Sequence, residues 1–327
     1  MSRPHVLLAR AVFPAVVERL REHFEVDDNP ADIIHSPAQL TARLQGKAGA
    51  MTTGSERIDA VLLAACPELR VVANMAVGYN NFDIAACTAA GVLATNTPDV
   101  LTETTADFGF ALMMAAARRM AESEHFLRRG EWTRWSYDMF TGSDVHGATL
   151  AILGMGRIGQ AIARRGALGF GMRVIYHNRS PLTPEQEAPI QARYVDKATL
   201  LREADHLVLV LPYSAASHHA IGSAELALMK PTATLTNIAR GGIVDDAALA
   251  AALHERRIAA AGLDVFEGEP AVHPALLTLP NVVLTPHIAS ATVATRRAMA
   301  ELAADNLVAA LTGGTPPTPI NAAGLKR

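Results

Sequence analysis

A chain of 327 residues exceeds what one hydrophobic core usually supports, so two domains are expected. Half of its residues are hydrophobic and 19% are charged, the balance of a globular protein with a sizeable core. A formal net charge of -3 supplies no general basic field, which argues against nucleic acid or an anionic membrane as partner.

The N-terminal stretch "MSRPHVLLAR" has a basic flank, but its apolar run is too short for a signal-peptide core. No segment approaches the roughly 20 apolar residues of a membrane span, and the cytoplasm is the expected compartment. The two cysteines, Cys66 and Cys87, each sit in an apolar, helix-like run. Both are expected to be reduced core thiols, and no metal centre is expected.

Short β-rich runs alternate with Ala-rich amphipathic runs, the pattern of βαβ units around parallel sheets. The first set contains "HVLLA", "AGAMTT", "LRVVANMA" and "GVLATN", with helix-like stretches from Ile58 to Cys66 and from Phe82 to Ala90. Pro98 then stops a strand, and Thr102 can cap one long helix over Glu103 to Arg129, whose early acids and late basic residues suit the helix dipole. An aromatic loop follows, "GEWTRWSYDMFTGSDVHG", long enough that a functional or contact role is expected. The second set is "ATLAIL", "RVIYH", "HLVLVLP", "TATLTNIA", "AAGLDVF" and "NVVLT", six strands that match a complete Rossmann sheet. A last helix, about Thr292 to Leu311, is left over once that sheet is complete, and docking back on the first domain would bury its apolar face.

Within the second set, Gly154, Gly156 and Gly159 form GxGxxG between a strand-like and a helix-like run. In that context the glycines permit a tight turn, backbone approach to a pyrophosphate, and close packing of helix on strand. A purely structural turn is the alternative. At the end of the next strand, "VIYHNRS" lacks the acid that accepts from the ribose 2'-OH of NAD. Asn178, Arg179 and Ser180 stand there instead, a guanidinium with two polar neighbours suited to a 2'-phosphate. The bland alternative is that Arg179 only solvates a surface turn.

Three further stretches end strands, where ligands bind in open α/β sheets. "TNIARGG" carries Arg240, able to grip a carboxylate in bidentate fashion; "GLDVFEGEP" carries Asp264, Glu267 and Glu269; and "VVLTPHIAS" carries His287. Reducing a 2-keto acid with a nicotinamide needs a cation for the carboxylate, a proton donor for the incipient alkoxide, and a carboxylate that keeps the donor protonated. Arg, His and Glu are that set.

The motifs "NMAVGYNNFD", "TNTPDVLTETTAD", "GMGRIG", "TNIARGGIVDDAAL", "AAGLDVFEGEP" and "LTPHIASAT" resemble those of the D-2-hydroxyacid dehydrogenases nearly end to end. "GEWTRW", "YHNRS" and the short C-terminus most resemble the glyoxylate/hydroxypyruvate reductase and 2-ketogluconate reductase branch. Ala289 replaces a Gly usual after "PHI", and Asn80 an Asp frequent after "VGY"; neither carries the chemistry.

The resemblance implies two α/β parallel-sheet domains with the active site in the cleft between them. Residues 1–100 with 288–327 would form a flavodoxin-like, substrate-binding domain. Residues 101–287 would form an NADP-binding Rossmann domain that includes a dimerisation helix and arm, 103–147. The two crossings near residues 100 and 287 are the candidate hinges. Arg240 would bind the keto-acid carboxylate together with the backbone of Val77 and Gly78, His287 would be the acid/base, and Glu269 would pair with it. Glu267 would be a bystander. The cofactor would lie along Gly154, Gly156, Arg157, Ile158 and Gly159, then Asn178, Arg179 and Ser180, then Leu211, Pro212 and Ser217, then Ile238 and Ala239, with Thr105 and Asp264 also in contact and Asp264 near the nicotinamide amide. Trp132 and Trp135 fall in an arm that in relatives grips the partner subunit. One of them, with Trp135 assigned to substrate binding, would line the neighbour's site; burial in the interface alone is the alternative.

The expected protein is thus a homodimeric reductase of small 2-keto acids, glyoxylate, hydroxypyruvate or 2-ketogluconate, that makes D-2-hydroxy acids. NADP(H) is the preferred cofactor and NAD(H) the second candidate. A nucleotide-sensing corepressor on the same fold is the alternative from another class.

Overall fold

The computed structural model describes residues 3–325. Residues Thr102–Ser290 form one compact unit, and the chain before and after that span forms the other. The division falls after Ser290, three residues beyond the boundary expected from sequence. The physical reason is local: the buried Asp264 carboxylate accepts from the N–H groups of Ile288 and Ala289, at 2.8 and 2.9 Å, and ties them to the larger unit.

The smaller unit is a five-stranded parallel sheet. Its strands are β1 (His5–Leu8), β2 (Glu25–Asp27), β3 (Gly49–Thr52), β4 (Val71–Asn74) and β5 (Leu93–Thr95), in the order β2-β1-β3-β4-β5. This is the flavodoxin-like order. Side chains alternate along β1, as a strand requires: Leu7 and Ala9 enter a core with Leu62 and Cys87, while Val6 and Leu8 enter another with Val16, Leu20 and Leu307. Sequence patterning missed β2, because "EVD" is a short, half-exposed edge strand with no apolar run. The last helix, Val293–Thr312, is capped by Thr292 and packs on β3 and β4 of this unit through Ala300, Ala303, Ala304 and Leu307. Cys66 and Cys87 are free and buried, and burial with the nearby Asp83 charge pushes the Cys87 thiol up to about 11.

The larger unit holds seven parallel strands: β6 (Thr149–Leu153), β7 (Arg173–His177), β8 (Arg193–Tyr194), β9 (His206–Leu209), β10 (Thr234–Asn237), β11 (Ala260–Leu263) and β12 (Val282–Leu284). Their order is β12-β11-β10-β9-β6-β7-β8, the Rossmann order with a seventh strand. The strand not anticipated is β8, two residues long and on the edge, where little apolar patterning is needed. Along β6, Ala151 and Leu153 face one core and Leu150 and Ile152 the other. Full burial of side chains such as Leu150 and Ile152 contributes about 1.5–3 kcal/mol each.

The helix expected over Glu103 to Arg129 is in fact two, Thr102–Ala117 and Met120–Arg128. Arg119 breaks it with a left-handed backbone, φ 52°. The conformation is held by the second helix and by the loop beyond it: Arg119 donates two hydrogen bonds to Glu122, both 2.8 Å, and its guanidinium lies 5.1 Å from the Phe140 ring centre. Ser143 N donates to the Ala117 carbonyl at 2.9 Å, so the following loop occupies the break. Among the described residues, no helix is long and apolar enough to cross a membrane.

Candidate active site

Strand register lines up the chemistry-bearing residues of the larger unit on one edge of its sheet. Leu153 pairs with His177 and with Leu209, and Asn237 pairs with Leu209 and Leu263. The residues that follow these strands therefore emerge side by side at the carboxyl ends, on both sides of the point between β6 and β9 where the strand order reverses.

Two glycines of the turn after β6 are sterically required, and the third faces open space. Gly154 has φ 103°, and a Cβ there would fall 2.6 Å from Leu211 N. A Cβ on Gly159 would fall 2.4 Å from Gly154 O, whereas one on Gly156 would meet nothing within 4 Å. Open space beside Gly156, at the start of the helix Arg157–Arg164, is the cradle that a pyrophosphate needs. Arg157 is exposed and Ile158 half-buried at this helix start. Thr105, buried in the preceding helix, has a hydroxyl with no hydrogen-bond partner among the described residues. Cradle and orphaned hydroxyl both fit a dinucleotide.

The end of β7 is built from four residues with separate tasks. Asn178 Oδ1 accepts from Met155 N at 2.7 Å, so it locks the glycine turn to the neighbouring strand. His177, where an acid was expected, donates from Nδ1 to the Val195 carbonyl at 2.8 Å and stacks on Tyr194. Arg179 and Ser180 are exposed, and Arg179 has no side-chain partner among the described residues. The loop that presents them is closed by Tyr176, whose hydroxyl donates to Glu187 Oε1 and accepts from Leu182 N, both at 2.6 Å. Burial, then the hydrogen bond to Glu187, pushes the Tyr176 phenol up to about 12. Sequence reasoning passed over Tyr176 and Glu187, since a buried tyrosine in a strand reads as core.

The loop after β9 carries Leu211, Pro212 and Ser217. The Ser217 hydroxyl donates to the carbonyls of Pro212 and Ser214 at 3.0 and 3.1 Å and accepts from Ser214 N at 2.7 Å, so it shapes the loop that it closes. After β10, Ile238 and Ala239 are buried. Asn237 turns the chain: its Oδ1 accepts from Ala239 N at 3.0 Å and its Nδ2 donates to the Arg240 carbonyl at 3.2 Å. That turn aims Arg240, whose Nη1 donates to Ala239 O at 2.7 Å. Burial lowers the Arg240 guanidinium from its ordinary value and the Glu269 charge partly restores it, leaving a cation with little water around it.

His287 and Glu269 meet at 2.8 Å, Nδ1 to Oε1. Burial pulls the Glu269 carboxyl up, but the hydrogen bond and charge of His287, with the Arg240 charge, hold it below the usual carboxylate range. An anionic Glu269 fixes Nδ1 as the donor to it and leaves Nε2 for a substrate. His287 itself has φ 53°, a region that non-glycine residues occupy only when their surroundings impose it. Asp264 imposes it. Fully buried, it accepts from Thr285 Oγ1 and Ile288 N at 2.8 Å and from Ala289 N at 2.9 Å, and its own carbonyl accepts from His287 N at 2.9 Å. Burial pushes the Asp264 carboxyl up against these bonds. Glu267 points elsewhere, to His219 at 2.9 Å.

In the smaller unit, Val77 and Gly78 follow β4. Their carbonyls accept from Asn96 Nδ2 at 2.8 Å and Asn74 Nδ2 at 3.0 Å, while neither N–H donates to a group among the described residues. Trp132 and Trp135 are exposed, Trp135 by 76%.

Residues 110–289 match the family described as D-isomer specific 2-hydroxyacid dehydrogenase, NAD binding domain. The chain is 48% identical over 323 residues to a glyoxylate reductase of Thermococcus gammatolerans, covering 98% of this chain and 96% of that one. It is 45% identical to glyoxylate/hydroxypyruvate reductase B of Klebsiella pneumoniae, covering 98% of each. Among solved structures it resembles the NADPH-dependent glyoxylate/hydroxypyruvate reductase of Sinorhizobium meliloti, solved in complex with NADP and malonate, with TM-score 0.87, 38% identity and coverage of 100% and 99%.

Proposed function

The chain belongs to the D-isomer specific 2-hydroxyacid dehydrogenase family, and on that premise we propose that it reduces small 2-keto acids to D-2-hydroxy acids with NADPH as preferred donor. Glyoxylate and hydroxypyruvate are the first substrates of this reading, since relatives across the whole chain length carry those names; 2-ketogluconate is the third. The observation that carries the proposal is the His287–Glu269 pair at 2.8 Å, at the same sheet edge as a half-buried Arg240.

The Gly154–Gly159 turn and the residues after β7 would hold the dinucleotide, which would supply the hydride for the substrate's C2. Arg240 binds the substrate carboxylate; in the smaller unit the N–H groups of Val77 and Gly78 are donors of the kind a carboxylate accepts. His287 gives the Nε2 proton to the developing alkoxide, and Glu269 holds the ring by its Nδ1–H and offsets its charge. Asp264 fixes the backbone from which His287 projects. In the oxidative direction the same nitrogen takes the proton from the hydroxyl.

Preference for NADPH rests on three observations: the acid is missing after β7, Asn178 uses its Oδ1 on the glycine turn, and Arg179 is exposed without a side-chain partner among the described residues. The relative solved with NADP supports it. A homodimer in the cytoplasm completes the reading. Met120, Leu127, Trp132, Trp135 and Tyr137 are all exposed along the helix Met120–Arg128 and the loop behind it, an apolar surface of the kind that a second copy covers. No observation favours the corepressor alternative.

The deciding measurement is kcat/KM for glyoxylate, hydroxypyruvate and 2-ketogluconate with NADPH and with NADH. Absence of turnover with all three acids overturns the reductase reading; faster turnover with NADH overturns the cofactor preference alone.

A further inference from the structure

We propose that His218, His219 and Glu267 form a binding site for a divalent transition-metal ion, separate from the reductase machinery. Among the described residues they are the one group of three His, Cys or acidic side chains whose ligand atoms lie close enough to share an ion, all within 4.8 Å of one another. His219 Nε2 and Glu267 Oε2 are 2.9 Å apart. Two donors bound to one ion at ~2.0–2.2 Å have a similar separation. The rings of His218 and His219 lie face to face, centres 3.9 Å apart at 22°, so a modest swing of the exposed His218 brings a third donor to the same point.

Each histidine has a polar neighbour beside the nitrogen that would not bind metal, a hydroxyl in one case and a carboxylate just beyond hydrogen-bond distance in the other. His218 Nδ1 lies 3.2 Å from the Tyr213 hydroxyl, and His219 Nδ1 faces Asp245 Oδ2 at 4.0 Å. The second arrangement is the carboxylate–histidine order that orients zinc ligands. The backbone is braced as well. His219 is left-handed, φ 48°, and its N–H donates to Gly242 O at 2.7 Å, while Glu267 N donates to Asp246 Oδ2 at 3.0 Å. A bland surface ion pair between His219 and Glu267 explains their contact, but not why a second imidazole stacks beside it with its own hydrogen-bond partner.

Two imidazoles and one carboxylate select borderline ions such as Zn²⁺, Co²⁺ or Ni²⁺ over Mg²⁺ and Ca²⁺, which prefer oxygen. Three protein ligands leave further positions to water. The ion bridges the loop after β9 to the segment between β11 and β12, and binding only the native state raises its stability by mass action.

The test uses the full-length chain without an affinity tag. Calorimetric titration with Zn²⁺ and visible absorption with Co²⁺ should show one ion per chain and a rise in Tm; Mg²⁺ should give neither. His218→Ala, His219→Ala and Glu267→Gln should each remove the rise, Asp245→Asn should weaken binding about tenfold, and His254→Ala should bind as wild type. Circular dichroism of the exposed-site variants His218→Ala and Glu267→Gln separates lost binding from lost folding. The proposal is overturned if wild type takes up no Zn²⁺, if Mg²⁺ binds equally, or if binding survives in folded His218→Ala and Glu267→Gln.

Discussion

Asp264 holds His287 without touching its ring. The carbonyl of Asp264 accepts from His287 N at 2.9 Å, and its carboxylate accepts from Ile288 N and Ala289 N at 2.8 and 2.9 Å, so the left-handed backbone of His287 is held by the backbone and side chain of one buried residue. Replacing Asp264 by Asn puts an NH₂ group against one of those N–H donors. Stability should fall by roughly 1–3 kcal/mol, the cost of a buried polar group left unpaired, with a drop in kcat at unchanged KM for NADPH. Denaturant unfolding together with steady-state kinetics reads both; wild-type kcat in Asp264→Asn would remove Asp264 from the positioning role.

His287→Ala should lower kcat by about 10²–10⁴, the usual range for a positioned acid or base. Steady-state rates with glyoxylate check this, and a change of less than about tenfold would mean that the proton comes from another group.

Glu269 makes a prediction about pH. Its carboxyl is held below the ordinary value of 4.5 in the folded chain, burial notwithstanding, by His287 and Arg240. A depressed carboxyl contributes stability that is present above the unfolded value and is lost as pH falls through the folded one. The stability gap between wild type and Glu269→Gln should therefore be full above pH 4.5 and shrink at more acid pH. Asp264, raised by burial, acts with the opposite sign, and its stabilisation is largest at acid pH. Urea midpoints across an acid pH series measure both, and a gap between wild type and Glu269→Gln that grows on acidification would contradict the assignment.

Arg179→Ala should weaken NADPH by about 1.5–3 kcal/mol, the scale of a hydrogen bond to a charged group, and leave NADH unchanged. Equal losses for both nucleotides, by fluorescence titration, would show that Arg179 does not read the 2'-phosphate.

Tyr176→Phe should loosen the loop that presents Arg179 and Ser180. The substitution leaves Leu182 N and Glu187 without the phenol, so KM for NADPH should rise more than KM for NADH, and Tm should fall. A lower Tm with both KM values unchanged would confine Tyr176 to a structural role.

Much of this was legible in residue order because it is local. GxGxxG needs only its neighbours in the chain; β6, β9, β10 and β11 are buried along their length and β7 through its centre, so they were legible as strands. Arg240, Glu269 and His287 were legible as residue types at strand ends. Edge strands β2 and β8 were not, because an edge carries little apolar pattern. Neither was the break at Arg119, which depends on Glu122, Phe140 and Ser143.

Hydrophobic alternation predicted the two parallel sheets, and the resemblance of short motifs implied the family, since both are encoded over a few consecutive residues. Which residues meet was decided by the folded chain alone. Asp264 clamps residues 285 to 289, His177 donates to the Val195 carbonyl, and Glu267 faces His219. Hydrogen bonds between loops from different strands depend on register and on backbone angles such as φ 53° at His287, which side-chain identity does not carry.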